Sequence, residues 1–92
     1  MGSMAHISHE ELQERLSAAA ELVEVGARYA HYKHPEQEYE VTGFGIIEAT
    51  DGVGVLYKWL YGPGFTFIRP IESFAGTVEH EGRTIPRFAK VS

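Results

Sequence analysis

The sequence predicts a small, mainly β domain: an antiparallel roll or barrel of five to six short strands behind one N-terminal α-helix. Three observations predict it. Helix formers with apolar residues at spacings of three and four run as far as Gly26. Beyond Gly26 β-branched residues, aromatics and glycines take over. Turn-forming clusters then recur about every 8 to 12 residues, too closely for crossover helices, so successive strands must pair antiparallel.

Met1-Gly2-Ser3-Met4 reads as a cloning remnant ahead of a second methionine, and the helix is expected within residues 5–26. Ser8-His9-Glu10-Glu11 fits a capping box, with the serine accepting from the backbone three residues on. Leu12, Leu16, Ala19, Ala20 and Val23 fall on one stripe, which packs on the rest of the domain or docks a partner. Gly26 is a natural stop.

Residues 27–92 form the roll. Strands are expected over 28–33, 39–47, 53–61 and 65–69. The links are His34-Pro35-Glu36-Gln37, Asp51-Gly52 and Gly62-Pro63-Gly64, which combine residues tolerant of positive φ with prolines that fix it. Pro70 to Phe74 suits a single helical turn. Residues 77–80 and 83–85 flank Glu81-Gly82 as a tight hairpin, and Pro86 interrupts before 87–91. A flat sheet would leave one face and two edges unprotected, so curling is the economical solution, with Gly43, Gly45 and Gly54 at the bends.

Composition closes off several function classes. Hydrophobic residues are 43% and charged residues 23% of the 92, proportions that fold into about one domain. No apolar run approaches the roughly 18 to 20 residues of a membrane span, and no signal-peptide pattern opens the chain, so a cytoplasmic protein is expected. The absence of cysteine removes disulfides, thiolate zinc sites and thiol nucleophiles together. The net charge is −5, and residues 1–26 supply most of it, with five glutamates against Arg15 alone. No basic cluster of the kind that binds nucleic acid stands out. The five histidines lack metal-ligand spacing, and no phosphate-cradling glycine loop or serine-hydrolase elbow is present, so no metal or cofactor is expected.

An ordered set of short motifs carries a resemblance. Tyr29-Ala30-His31-Tyr32-Lys33, Tyr39-Glu40-Val41-Thr42-Gly43, Tyr57-Lys58-Trp59-Leu60-Tyr61, Arg69-Pro70, Phe74 and Pro86-Arg87-Phe88 follow the pattern of a bacterial family, domain of unknown function 1653. The similar region spans residues 26–91. The resemblance implies an SH3-like β-roll and carries no activity. Relatives commonly have a His-Ser-Glu-Thr stretch before the third strand. It falls here on Ile47, Glu48, Ala49 and Thr50, of which only the threonine matches. The loop after Lys33 is also longer than the family pattern, and the helix lies outside it.

Strand alternation puts Val53, Val55, Tyr57, Trp59 and Tyr61 on one side of the third strand and Leu56, Lys58 and Leu60 on the other. Both sides are apolar, so whichever faces outward needs the helix, a partner or a ligand over it. Tyr57 and Trp59 either fill the core or offer flat surfaces with polar tips. His31 either shuttles protons or is fixed by a backbone partner. Arg69 and Arg87 either pair with carboxylates such as Glu72 or Glu40, or present planar forks to an anionic ligand.

The expected ligand-binding set is therefore Tyr29, His31, Lys33, Tyr57, Trp59, Arg69 and Arg87. It defines a non-catalytic module for a small molecule or peptide, acting as a monomer or weak oligomer. Two alternatives stand beside it. One is a small metal-free enzyme with His31 as general acid or base and Arg69 stabilising negative charge. The other is an accessory domain that assembles through its acidic helix.

Overall fold

A computed structural model describes residues 7–92. The expected cloning remnant at residues 1–4 lies outside the described residues. Helix α1 spans His9–Leu22, and Ser8 Oγ accepts from the Glu11 backbone N–H at 3.1 Å. The reciprocal half of the capping box is replaced by an ion pair from Glu11 to Arg15. The helix ends at Leu22, ahead of the stop expected at Gly26. Val23 is already extended (φ −134°) because that backbone sends its side chain into the core, where it is 2% exposed. The apolar stripe packs through Ala19 and Val23, both buried, whereas Ala20 is exposed. Gly26 sits in the following turn at φ +91°, left-handed backbone that favours glycine, and donates to Val41 O at 2.8 Å.

Seven strands follow: β1 (Arg28–His31), β2 (His34–Ile47), β3 (Gly52–Trp59), β4 (Thr66–Pro70), β5 (Thr77–His80), β6 (Arg83–Pro86) and β7 (Phe88–Lys90). The one-turn helix α2 (Ile71–Phe74) separates β4 from β5. A five-stranded antiparallel sheet runs in the order β4-β3-β2-β1-β7, and β5 pairs with β6 in a separate hairpin. The fold is thus mainly β with one N-terminal helix. Among the described residues the five-stranded sheet does not close into a barrel, because β4 and β7 remain edges.

Most turns follow the sequence reading. Asp51 carries the positive φ of the β2–β3 link, and Glu81 and Gly82 carry that of the β5–β6 hairpin. One link differs. β2 begins at His34, inside the segment expected as a turn, and the reversal falls on Tyr32-Lys33. Tyr32 N–H donates to Arg87 O at 3.0 Å and Lys33 N–H to His31 Nδ1 at 3.2 Å, so side chain and neighbouring strand do the work of a turn former. Pro35 is tolerated because it opens a strand, where a missing N–H breaks no central ladder bond.

Registers decide the faces. Tyr29 is opposite Tyr39, Tyr39 opposite Trp59, Val41 opposite Tyr57, Tyr57 opposite Phe67, and His31 opposite Phe88. These residues share the core face. Val23, Ala27, Tyr29, Val41, Val55, Tyr57, Phe74 and Phe88 form the buried cluster on it, with Phe44, Ile71 and Tyr39 packed against them. Val41 and Val55 are fully buried, each worth about 1.5–3 kcal/mol. Helix α1 and Ile71 lie over the Val53 end of β3, and Phe74 lies over its middle. Among the described residues no helix is long and apolar enough to cross a membrane.

Candidate functional site

The core face is covered unevenly. Beyond Tyr57 toward the Trp59 end it continues as a row of rings: Tyr39 on β2, Trp59 at the end of β3, Tyr61 and Phe65 in the link that follows, and Phe67 on β4. Tyr39, Trp59 and Tyr61 are half-buried, while Phe65 and Phe67 are 59% and 38% exposed. Trp59 stacks on Phe65 at 6.2 Å and meets Tyr61 edge-on at 4.4 Å. Its indole N–H is shielded from solvent and has no acceptor among the described residues. Tyr61 OH donates to Gln37 Oε1, and burial beside Tyr61 pushes the Tyr39 phenol up to about 12.

A polar group adjoins this row, arranged around one ring. Phe88 meets His31 at 5.0 Å, Tyr57 at 5.4 Å and Tyr39 at 6.0 Å, and the Arg69 guanidinium lies 5.2 Å from its centroid. Arg69 Nε donates to Tyr57 OH at 3.2 Å and Nη1 to Ser73 Oγ at 2.9 Å. Arg87 Nε donates to Ser73 O at 3.1 Å, so one serine of α2 holds two guanidinium groups. The carboxylate pairing with Glu72 or Glu40 is not made. Among the described residues Arg69 and Arg87 enter no ion pair, whereas Arg15, Arg28 and Lys90 each do.

His31 reports this excess of positive charge. Partial burial lowers its pKa, and Arg69, Arg87, Lys33 and His34 add to the effect in that order. The imidazole is therefore neutral at pH 7. With Nδ1 accepting from Lys33 N–H, the proton sits on Nε2, which becomes a donor. A depressed histidine pKa means that the unfolded chain takes up protons first as pH falls. Stability is then full above the ordinary value of about 6.5 and declines from there down to the folded-state pKa. An NMR titration should place the His31 midpoint below the ordinary histidine value of about 6.5. Arg69→Gln should move its midpoint upward; an unchanged midpoint would remove Arg69 from its surroundings.

The expected site residues divide accordingly. His31, Tyr57, Trp59 and Arg69 come together on one face, and Arg87 joins them through Ser73. Tyr29 does not present a surface. It is 6% exposed, meets Phe74 edge-on and accepts from Glu24 N–H, so it belongs to the core, as does the equally buried Tyr57, which supports the site from beneath by accepting from Arg69 Nε. Lys33 is exposed on the β1–β2 turn with Nζ 6.0 Å from the Tyr32 ring, adding charge but no wall. Tyr39, Tyr61, Phe65 and Phe67 were not in the expected set, though strand alternation places Tyr39 with Val41, and Tyr61 was already assigned to the face of Tyr57. Thr50, the matched residue of the divergent stretch, has a turn role: its Oγ1 accepts from Gly52 N–H at 3.1 Å.

Two clefts lie apart from this surface. One, of about 300 Å³, separates α1 from the far end of β3 and is lined by Arg15, Ala19, Leu22, Val53 and Ile71. The other is an open depression on the Glu10, Glu14 and Glu21 side of α1. Among the described residues no group of three or more histidines, aspartates and glutamates is arranged to hold a metal ion.

Comparison with known proteins agrees with the motif pattern. The family described as "Protein of unknown function (DUF1653)" matches residues 27–90. The crystal structure of a member of that family from Bordetella bronchiseptica is similar, with 31% identity and a TM-score of 0.61 over 72% of this chain and 85% of that one. No curated protein matches. The match takes in β1 through β7 and the residues around Phe88 while leaving α1 outside, and on that ground the chain belongs to the DUF1653 family.

Proposed function

We propose that this domain is a non-catalytic binding module for a flat, negatively charged ligand, seated on the open ring row with its charge toward Arg69. One observation carries the reading: five aromatic side chains continue the core face past its cover and end beside two arginines that no carboxylate neutralises. Rings supply contact area at low entropic cost, and a guanidinium held by Tyr57 and Ser73 is preorganised to receive a carboxylate or phosphate. The neutral His31 adds a donor on Nε2. Both acid and base roles for His31 are weakened by the same facts, since its acceptor nitrogen is occupied and it is uncharged at neutral pH.

The test is a backbone-amide shift titration with aromatic carboxylates, aromatic phosphates and short peptides carrying the same groups. Shifts should cluster at His31, Tyr39, Trp59, Phe67 and Arg69. The fluorescence of Trp59, the single tryptophan, should change in parallel. Arg69→Gln should weaken binding about tenfold or more, in line with about 1.5–3 kcal/mol for a charged hydrogen bond. A null response across the panel, or shifts confined to α1, would overturn the proposal.

A further inference from the structure

The two edges of the five-stranded sheet are unequal. β7 is three residues long, and Lys90 on it pairs with Glu24. Short strands and lysines are the usual protection of an edge. β4 has neither. Thr66, Phe67 and Ile68 are all exposed, and Ile68 is 66% so.

The hydrogen-bonding parity of β4 follows from its neighbours. Trp59 N–H donates to Phe65 O at 2.9 Å, and the ladder continues with Tyr57 opposite Phe67 and Val55 opposite Arg69. In an antiparallel ladder bonded pairs alternate, so Phe65, Phe67 and Arg69 bond inward to β3. The N–H and C=O groups of Thr66 and Ile68 therefore face outward, and they have no partner among the described residues. Pro70 shares this outward parity, so its missing N–H costs the ladder nothing.

We infer that β4 pairs antiparallel with β4 of a second copy about a two-fold axis at Phe67, joining two sheets into one of ten strands. The strand is self-complementary in this register. Thr66 and the partner subunit's Ile68 form a bonded pair, as do Ile68 and the partner's Thr66, giving four main-chain hydrogen bonds. On the core face Phe67 meets the partner's Phe67, and Phe65 lies opposite the partner subunit's Arg69. Ring against ring and ring against guanidinium are favourable cross-strand neighbours. The pairing ends where Gly64 already donates to Tyr61 O. Each ring row thereby gains an arginine from the other subunit, and the two rows become one surface. The inference stands whether or not the row binds the ligand proposed above.

The chain has no cysteine, so one introduced thiol reads the register directly. Phe67→Cys at the two-fold axis forms a non-hydrogen-bonded pair, in which Cα atoms approach to about 4.5 Å and a disulfide can close. Oxidation should convert it to a covalent dimer of twice the 10.3 kDa chain mass, whereas Leu60→Cys, exposed but away from β4, should stay monomeric. Sedimentation of the unmodified chain up to the hundred-micromolar range should show reversible dimer formation. Ile68→Pro should abolish it while leaving the β3–β4 ladder and the circular dichroism spectrum intact, since the lost N–H faces outward. A monomer at every concentration overturns the inference. So does a dimer that Ile68→Pro leaves unchanged, or β4 amides that shift only when an extended peptide is added.

Discussion

Phe74→Ala should lower the unfolding free energy by about 3–5 kcal/mol, a large share of the 5–15 kcal/mol typical of a domain. Phe74 is 1% exposed, stacked on Phe88 at 4.2 Å with the rings nearly parallel, and edge-on to Tyr29 at 5.3 Å and Tyr57 at 5.2 Å. Removing the ring deletes contacts to β1, β3 and β7 together. α2 is a single turn, so little else in that element can collapse into the space. Urea unfolding followed by Trp59 fluorescence measures the loss, and Phe74→Leu should cost clearly less. A midpoint barely moved by Phe74→Ala would mean that the core does not depend on α2. Because Ser73 adjoins Phe74 and holds both Arg69 and Arg87, the same variant should loosen the polar group while leaving its residues in place.

Gly76→Ala is the second large effect. A Cβ there would stand 2.6 Å from Glu72 O, a backbone atom that cannot rotate away, with Ser73 O next at 3.6 Å. Gly76 O also accepts from Arg87 N–H at 2.9 Å, so a displaced Gly76 shifts the start of β7 and the Arg87 side chain with it. Overpacking of this kind costs typically about 1–3 kcal/mol, and the upper end is expected where backbone must yield. Gly45→Ala is the control, since nothing lies within 4 Å of its added methyl group. Equal melting temperatures for the two variants would refute the close-approach argument.

The sequence made some of this architecture legible and hid the rest for physical reasons. Helix start, strand alternation and the Glu81-Gly82 hairpin are local, and they appear in the structure where the residues put them. The β1–β2 reversal was hidden because Tyr32 and Lys33 are not turn formers; the turn exists through Arg87, far along the chain. The helix end was hidden because Val23 obeys the core rather than the helix. At the site, the grouping of His31, Tyr57 and Arg69 followed from residues picked individually. Their common neighbour Phe88 and the exposure of Phe65 and Phe67 required knowing which half of the face α1 and α2 cover.

The position of β1 between β2 and β7 sets the order in which the domain can assemble. The β2-β3-β4 meander needs only local closures, but β1 must also capture a strand more than fifty residues downstream before Phe88 enters the core. Loop closure over such a span is slow, and the rings gathered around Phe88 have no centre until it happens. During synthesis the meander can form as soon as it emerges. Completion must await the arrival of Phe88 from the ribosome, and until then the unfinished sheet has β1 itself as a second open edge.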